Sequence, residues 1–190
     1  MNPRLQVMLD SRQIETVPAE DEEVLGMWAK AARSLHSSGV AGLDPDSVFT
    51  LAYQGALQAA TAVVRAAGYR VRGDGHHHHT FAAAAALDLG ELSVAARDLN
   101  VIRQRRHEAI YDWEAVTRDR DLATLRSAAA RLFADGRRWI QAQRPHLGLP
   151  GASGGTTSRH IIPGPPCIQP AGPCAFPPPA RQRRVPFPSA

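Results

Sequence analysis

Four basic side chains on one predicted helix carry the clearest chemical signal in the sequence. Arg103, Arg105, Arg106 and His107 fall within five residues. Positions three and four apart lie on the same side of a helix, so Arg103 shares one side with both Arg106 and His107. A guanidinium offers two parallel donors to two oxygens of an anion. The spacing therefore predicts a phosphate-binding site formed by Arg103, Arg105 and Arg106.

Arg106 also interrupts an apolar stripe of the helix predicted over 92–113. The stripe recurs at three- and four-residue steps and consists of Leu92, Ala95, Leu99, Ile102, Arg106, Ala109 and Trp113. Burying an unpaired guanidinium is costly, so Arg106 either leaves the interior or faces a cleft that receives an anion. The alternative is a solvated, structural role, because Glu108, Asp112 and Glu114 are close enough in sequence to neutralise the cluster.

The histidine run His76–His79 is the second conspicuous group. Imidazoles are common ligands of Zn, Cu and Ni. A structural metal site takes its ligands at fixed spacing from separate elements, which four adjacent residues of one loop do not provide. We expect a solvated loop over Tyr69 to His79, and we predict no metal and no cofactor.

The cysteines and tryptophans give no sign of a metal site or a base-stacking surface. Cys167 and Cys174 lie in a proline-rich segment and are not interpreted as metal ligands. Trp28, Trp113 and Trp139 fall on helical apolar stripes, which favours core packing over stacking on nucleic-acid bases.

The elements that position these residues are predicted to be helices. Between Pro18 and Pro145 the only other proline is Pro45, and apolar residues recur with helical spacing rather than with a period of two. Short connections favour antiparallel neighbours, so the predicted fold class is all-α, an up-and-down bundle of four to five helices. After a weak helix over 4–14, helices are predicted over 18–37, 45–66 (with Asp44 as N-cap), 80–89, 92–113 and 119–144.

Composition divides the chain into a body and a tail. Residues 1–135 hold all 18 acidic side chains and 15 of the 22 Lys and Arg, whereas residues 136–190 hold seven Arg and no acid. Twelve of the 15 prolines lie from Pro145 onward, and such a segment buries too little apolar surface to offset its ordering entropy. We expect an N-terminal extension over 1–17 with at most a short helix, a bundle over 18–144, and a disordered Pro/Arg-rich tail over 145–190.

Composition also excludes several classes of protein. The sequence pI of about 9.7 reflects the tail, so it does not by itself indicate a nucleic-acid partner. The longest uncharged apolar run, Phe81 to Leu87, is far below the roughly 20 residues that cross a bilayer, so no membrane partner is expected. The N-terminus lacks the pattern of a secretory signal, and cysteines confined to the tail exclude a disulfide scaffold. We expect a cytoplasmic protein.

Three further features are read together: Arg103 to Tyr111 (RQRRHEAIY), the preceding Ala-rich helix with Leu51 to Leu57 (LAYQGAL), and a loop over Gly73 to His77 (GDGHH). Together they resemble bacterial HEPN-domain proteins, whose actinobacterial-type members have a similar Gly-acid-Gly-His-His loop. The resemblance covers roughly residues 20–144. It implies a small helical bundle, often a homodimer.

The resemblance also implies roles for three residues. Arg106 matches the family's Arg and His107 its polar second position, whereas Tyr111 stands where the nuclease members have His. The active members are metal-independent ribonucleases with the Arg–His pair at a dimer cleft. A Tyr, with an ordinary pKa near 10, exchanges a proton poorly near neutrality. We therefore expect binding of RNA or a nucleotide, in a homodimer with a cognate partner protein and a toxin–antitoxin or defence context.

Two alternatives remain open at this point. One is an active metal-independent endoribonuclease, in which Arg106, His107 and Tyr111 are catalytic. The other is a non-catalytic bundle that binds a protein partner through an apolar groove.

Overall fold

A computed structural model of the chain describes residues 2–73, 75–111 and 119–152, and for 103–111 it describes the backbone only. These residues form six helices and two short strands, so the predicted all-α class is confirmed. The elements are α1 (Pro3–Asp10), β1 (Ile14–Thr16), α2 (Asp21–Ser37), α3 (Pro45–Ala66), β2 (Tyr69–Val71), α4 (His76–Ala86), α5 (Glu91–Tyr111) and α6 (Asp119–Gln143).

Helix α3 lies at the centre of the bundle. It packs against α2, α6 and α4, while α5 packs against α4 and α6. Its N-terminus has the predicted cap, because the Asp44 carboxylate accepts a hydrogen bond of 2.9 Å from the backbone N–H of Ser47 and Pro45 occupies the first turn. The contact with α2 is close at Gly55, where an added Cβ would lie 2.7 Å from Leu35 Cγ.

The predicted apolar stripes form the core. Trp28 is fully buried and stacks on Phe133, with ring centroids 4.4 Å apart, which confirms its packing role. Trp139 is half-buried against the same core, whereas Trp113 lies outside the described residues. The stripe of α6 is buried along its length at Leu125, Leu132 and other positions.

A two-stranded antiparallel sheet is present that the sequence pattern does not predict. β1 pairs with β2, with Ile14 opposite Val71 and Thr16 opposite Tyr69. The helix predicted over 4–14 was too long: α1 ends at Asp10, and Arg12 has a positive φ of 56° that a helix does not accommodate. Three residues per strand are too few to show an alternating pattern.

The histidine run belongs to a helix and not to the loop that was expected. α4 begins at His76, immediately after Gly75, whose φ of 85° is in the left-handed region. His76–His79 therefore form the first turn of α4, and the helix ends at Ala86, before the predicted end at 89.

Both ends of the predicted bundle extend further than expected. In the proposed extension over 1–17, Leu5, Met8 and Ile14 are buried and belong to the core. At the other end, Leu147 and Leu149 are 7% and 2% exposed. The folded chain thus continues beyond residue 144 into the segment expected to be a tail. The expected tail residues 153–190 lie outside the described residues.

Polar contacts hold the segment after α6 against α2. The Trp28 indole Nε1 donates to the carbonyl of Pro150 at 3.0 Å. Arg144 donates to the Asp21 carboxylate at 2.5 Å, and His146 contacts the other oxygen of the same carboxylate. Because these groups come from opposite ends of the sequence, they close the bundle where α2 begins.

Arg65, near the end of α3, is a buried cation with 2% of its surface exposed. All five of its N–H donors have acceptors. Nε and Nη2 donate to the two carboxylate oxygens of Glu23, at 2.7 and 2.8 Å. Nη1 donates to the carbonyls of Val17 and Tyr69, at 2.8 and 3.1 Å, and Nη2 donates to that of Pro18 at 3.2 Å. We call this arrangement the Arg65 clamp.

Replacing Arg65 by Met should lower the free energy of unfolding by about 3 kcal/mol, because it leaves the Glu23 carboxylate and three carbonyls without their donors. Urea denaturation followed by circular dichroism measures the loss. Arg72→Met is the control, because Arg72 forms an exposed pair with Glu15, and such pairs contribute about 1 kcal/mol or less. Equal losses in the two variants would contradict the assigned role of the clamp.

The clamp should also make stability depend on pH. The hydrogen bond from Arg65 holds the pKa of Glu23 below its ordinary value of 4.5. A lowered folded-state pKa gives stability that is fully present above 4.5 and is lost as the pH falls through the folded-state pKa. The stability advantage of the wild type over Glu23→Gln should therefore be largest near neutrality and shrink below pH 4.5. Urea unfolding at several pH values tests this, and a difference that is constant with pH would refute it.

Ending the chain at residue 144 should destabilise the bundle relative to a chain that ends at residue 152. The shorter chain loses the burial of Leu147 and Leu149, about 3 kcal/mol together. Thermal unfolding of both chains measures the difference, and Leu149→Ala in the longer chain should reproduce a large part of it. Equal melting temperatures for the two chains would show that the segment adds nothing to the fold.

Candidate functional site

The helix expected to carry the site is present, but the side chains of the predicted site residues lie outside the described part of the structure. α5 runs over Glu91–Tyr111, so its backbone includes Arg103, Arg105, Arg106, His107 and Tyr111. Their predicted contacts with phosphate, their catalytic roles and the dimer cleft therefore remain predictions.

The apolar stripe of α5 is confirmed as far as its side chains are described. Leu92, Ala95, Leu99 and Ile102 are at most 8% exposed. Position 106 follows Leu99 by seven residues, close to two helical turns, so it continues this stripe in register. Arg106 thus remains the position at which the buried side of α5 would meet a charged residue.

A groove opens on another side of α5, between α1 and α4, and we call it the α5 groove. Its volume is about 440 Å³. Apolar side chains contributed by α1 and α4 form most of its wall, which suits a small organic ligand. The lining residues are Pro3, Arg4, Val7, Met8, Gln13, Phe81, Ala82, Ala85, Arg97 and Asn100.

Both charged residues that the described part of the chain contributes to the lining of the α5 groove are arginines. Arg4 and Arg97 are exposed, and no carboxylate of the described residues belongs to the lining. Nearby acids on the same helices are engaged elsewhere: Asp10 accepts a hydrogen bond from Gln6, and Asp98 is paired with Arg131. The groove therefore combines apolar walls with cations that are available to an anionic ligand.

The first turn of α4 is attached to the edge of this groove. His78 Nδ1 lies 3.0 Å from Oδ1 of Asn100, which lines the groove. The adjacent His77 lies 3.4 Å from the buried Tyr53 hydroxyl, and the Tyr53 ring meets Phe81 edge-on. These contacts give the histidines a structural role in holding α4 against α3 and α5.

Among the described residues, no group of three or more His, Cys, Asp or Glu side chains is arranged to hold a metal ion. No described helix combines the length and the apolar character that crossing a membrane requires.

The helical register connects the groove with part of the predicted basic cluster. Arg97 and Asn100 line the groove, and position 103 follows Asn100 by three residues. Position 107 follows Asn100 by seven residues, close to two turns. At 100° per residue, position 107 therefore lies on the groove side of α5, position 103 lies between that side and the buried stripe, and position 106 lies on the stripe.

Sequence reasoning missed two arginines that matter in the structure. Arg4 lies in what was expected to be an extension outside the bundle. Arg65 is the buried guanidinium of the described residues, although the sequence directed attention to Arg106 for that property. A signal was present, because Asp46 and Arg65 are the only charged residues in the 22 residues of α3, and a lone cation late in an apolar helix requires a partner.

Comparison of the chain with protein-family models, curated proteins and solved structures gives no significant match.

Proposed function

We propose that the chain binds a phosphate-bearing ligand, RNA or a nucleotide, along the side of α5 that begins at the α5 groove. The main support is the composition of that groove, an apolar cavity of about 440 Å³ with Arg4 and Arg97 as its charged residues. A nucleotide presents the complementary pair of features, a flat base that packs on apolar surface and a phosphate that guanidinium groups bind.

The sequence of α5 extends the same chemistry beyond the groove. His107 continues the groove side in register, Arg103 lies between that side and the buried stripe, and Arg105 adds a further cation on the same helix. A single nucleotide would occupy the groove alone, whereas an RNA strand would follow α5 from Arg97 toward His107. Binding is preferred to catalysis because Tyr111 stands where the nuclease members of the HEPN family have a histidine.

The HEPN assignment is part of this proposal. It is supported by the order of the resembling stretches and is compatible with an all-α bundle in which α3 and α5 carry two of them. A homodimer, a cognate partner protein, a toxin–antitoxin or defence context and a cytoplasmic location are proposed through that resemblance and the composition.

Single substitutions on α5 test the proposed RNA contact. Arg97→Ala and Arg103→Ala should each weaken binding of a fluorescein-labelled single-stranded RNA by about three- to tenfold and reduce the slope of log K against log salt by about 0.7. Fluorescence anisotropy of the full chain at two salt concentrations measures both quantities. All variants share residues 153–190, so any contribution of the four arginines there cancels in the comparison.

Arg33→Ala is the matched control, because Arg33 is an exposed cation on α2, a helix that does not line the groove. It should leave RNA affinity unchanged. Equal losses of RNA affinity in the Arg33, Arg97 and Arg103 variants would show that the binding is a nonspecific charge effect. A loss confined to Arg106→Ala would instead place the ligand at the cleft predicted from the buried stripe.

A further inference from the structure

A second cleft lies between α2, α3, α6 and the segment that follows α6, and we call it the α6 cleft. Its volume is about 420 Å³, within the range of small-molecule sites. It shares no lining residue and no helix with the α5 groove. The lining residues are Leu35, Ser38, Ala52, Arg126, Ala129, Ala130, Phe133, Ala134, Arg137, Gly151 and Ala152.

The α6 cleft is apolar over most of its wall. Leu35 and Phe133 are its large side chains, and alanine or glycine occupies six of the remaining positions. The Ser38 hydroxyl is already used, since it donates to the carbonyl of Leu35 at 2.7 Å. The wall therefore offers a ligand little beyond apolar contact, except at its two arginines.

Arg137 supplies an unused donor on this wall. The residue is half-buried, and its Nε is a buried side-chain atom without a hydrogen-bond partner in the described residues. A buried N–H without an acceptor is unfavourable, and an anion that reaches it after a small rotation of the side chain removes that cost. No carboxylate of the described residues lines the cleft, and the nearby Asp135 is paired with Arg138 instead.

Arg137 sets the charge of the proposed ligand, because it is the lining arginine whose buried Nε has no partner among the described residues. The other lining arginine, Arg126, is exposed, and its backbone lies about 16 Å away along α6. One guanidinium neutralises one negative charge and matches the two oxygens of a carboxylate through Nε and one Nη.

We propose that the α6 cleft binds a small amphipathic monocarboxylate, with the carboxylate on Arg137 and the apolar body over Phe133 and the alanines of α6. This site is independent of the proposed RNA or nucleotide contact, because the two cavities lie on different helices. Failure of the RNA experiments would leave this proposal unaffected.

Isothermal titration calorimetry of the full chain with sodium octanoate tests the site. Two further probes separate the apolar contribution to binding from that of the carboxylate. 1-Octanol has the same apolar body without the charge, and acetate has the carboxylate without the body. Octanoate should bind, and each partial probe should bind at least about tenfold more weakly. The absence of octanoate binding, or octanol binding of equal strength, overturns the proposal.

Two variants on adjacent residues locate the contact. Arg137→Gln should weaken octanoate binding by about tenfold or more, whereas Arg138→Gln should leave it unchanged. Arg138 is the matched control because it is exposed and paired with Asp135. Equal affinities for the Arg137 and Arg138 variants would refute the assignment.

A steric variant keeps the test decisive if circular dichroism shows that Arg137→Gln is unfolded. Ala130 is an exposed lining residue, so the larger side chain of Ala130→Leu fills the cleft without disturbing the packing of the core. This variant should abolish octanoate binding, and retained affinity would overturn the proposal.

RNA affinity measured with and without octanoate should be identical if the two sites are separate, and a change would contradict their independence.

Discussion

Burying a guanidinium is costly unless its donors find acceptors, and Arg65, which is 2% exposed, meets this condition through Glu23 and three carbonyls. Its partners come from the chain just before α2, from α2 itself and from β2. The clamp therefore fixes the segment around Val17 beside the end of α3. At the same place the N–H of Val17 donates to the carbonyl of Gly68 at 2.9 Å, which continues the pairing of β1 with β2.

The position of the α5 groove follows from this chain of contacts. The pairing of β1 with β2 holds the N-terminal segment on the bundle, and the N–H of Arg72 extends it by donating to the carbonyl of Gln13 at 2.8 Å. α1 packs against α4, and it supplies the groove wall that includes Arg4 and Met8. The proposed ligand site thus depends on an N-terminal segment whose placement is set by the Arg65–Glu23 ion pair at the C-terminal end of α3.

The long helices could be predicted because the information for them is local. α3 has a capping residue, a proline in its first turn and an uninterrupted apolar pattern, and the prediction matched its start at Pro45. The short sheet and the folded segment after α6 could not be predicted in the same way. Leu147 and Leu149 look like isolated leucines in a proline-rich stretch, and their burial depends on packing against a core formed by distant parts of the chain.

The sequence predicts the chemical type of the candidate site, an anion-binding helix, but not the groove beside that helix. Clustered arginines on one helix indicated an anion-binding helix, and the described part of α5 has the predicted buried stripe. The α5 groove requires contacts among α1, α4 and α5, so no spacing within one helix could indicate it. Arg65 could not be identified as buried for the same reason, because its acceptors come from segments that are distant in the sequence.

Local charge pairing makes the proposed anion site compatible with an acidic body. Residues 1–135 carry a net charge of −3, which does not attract a polyanion over long distances. Several of their acids are neutralised by specific partners, as Glu23 is by Arg65 and Asp98 by Arg131. Among the described residues, Arg4 and Arg97 are the charges that line the groove, and their field reaches roughly one Debye length, about 8 Å at physiological salt. The proposed ligand must therefore place its phosphate directly on these arginines, which favours a nucleotide or an unpaired RNA segment over a rigid duplex.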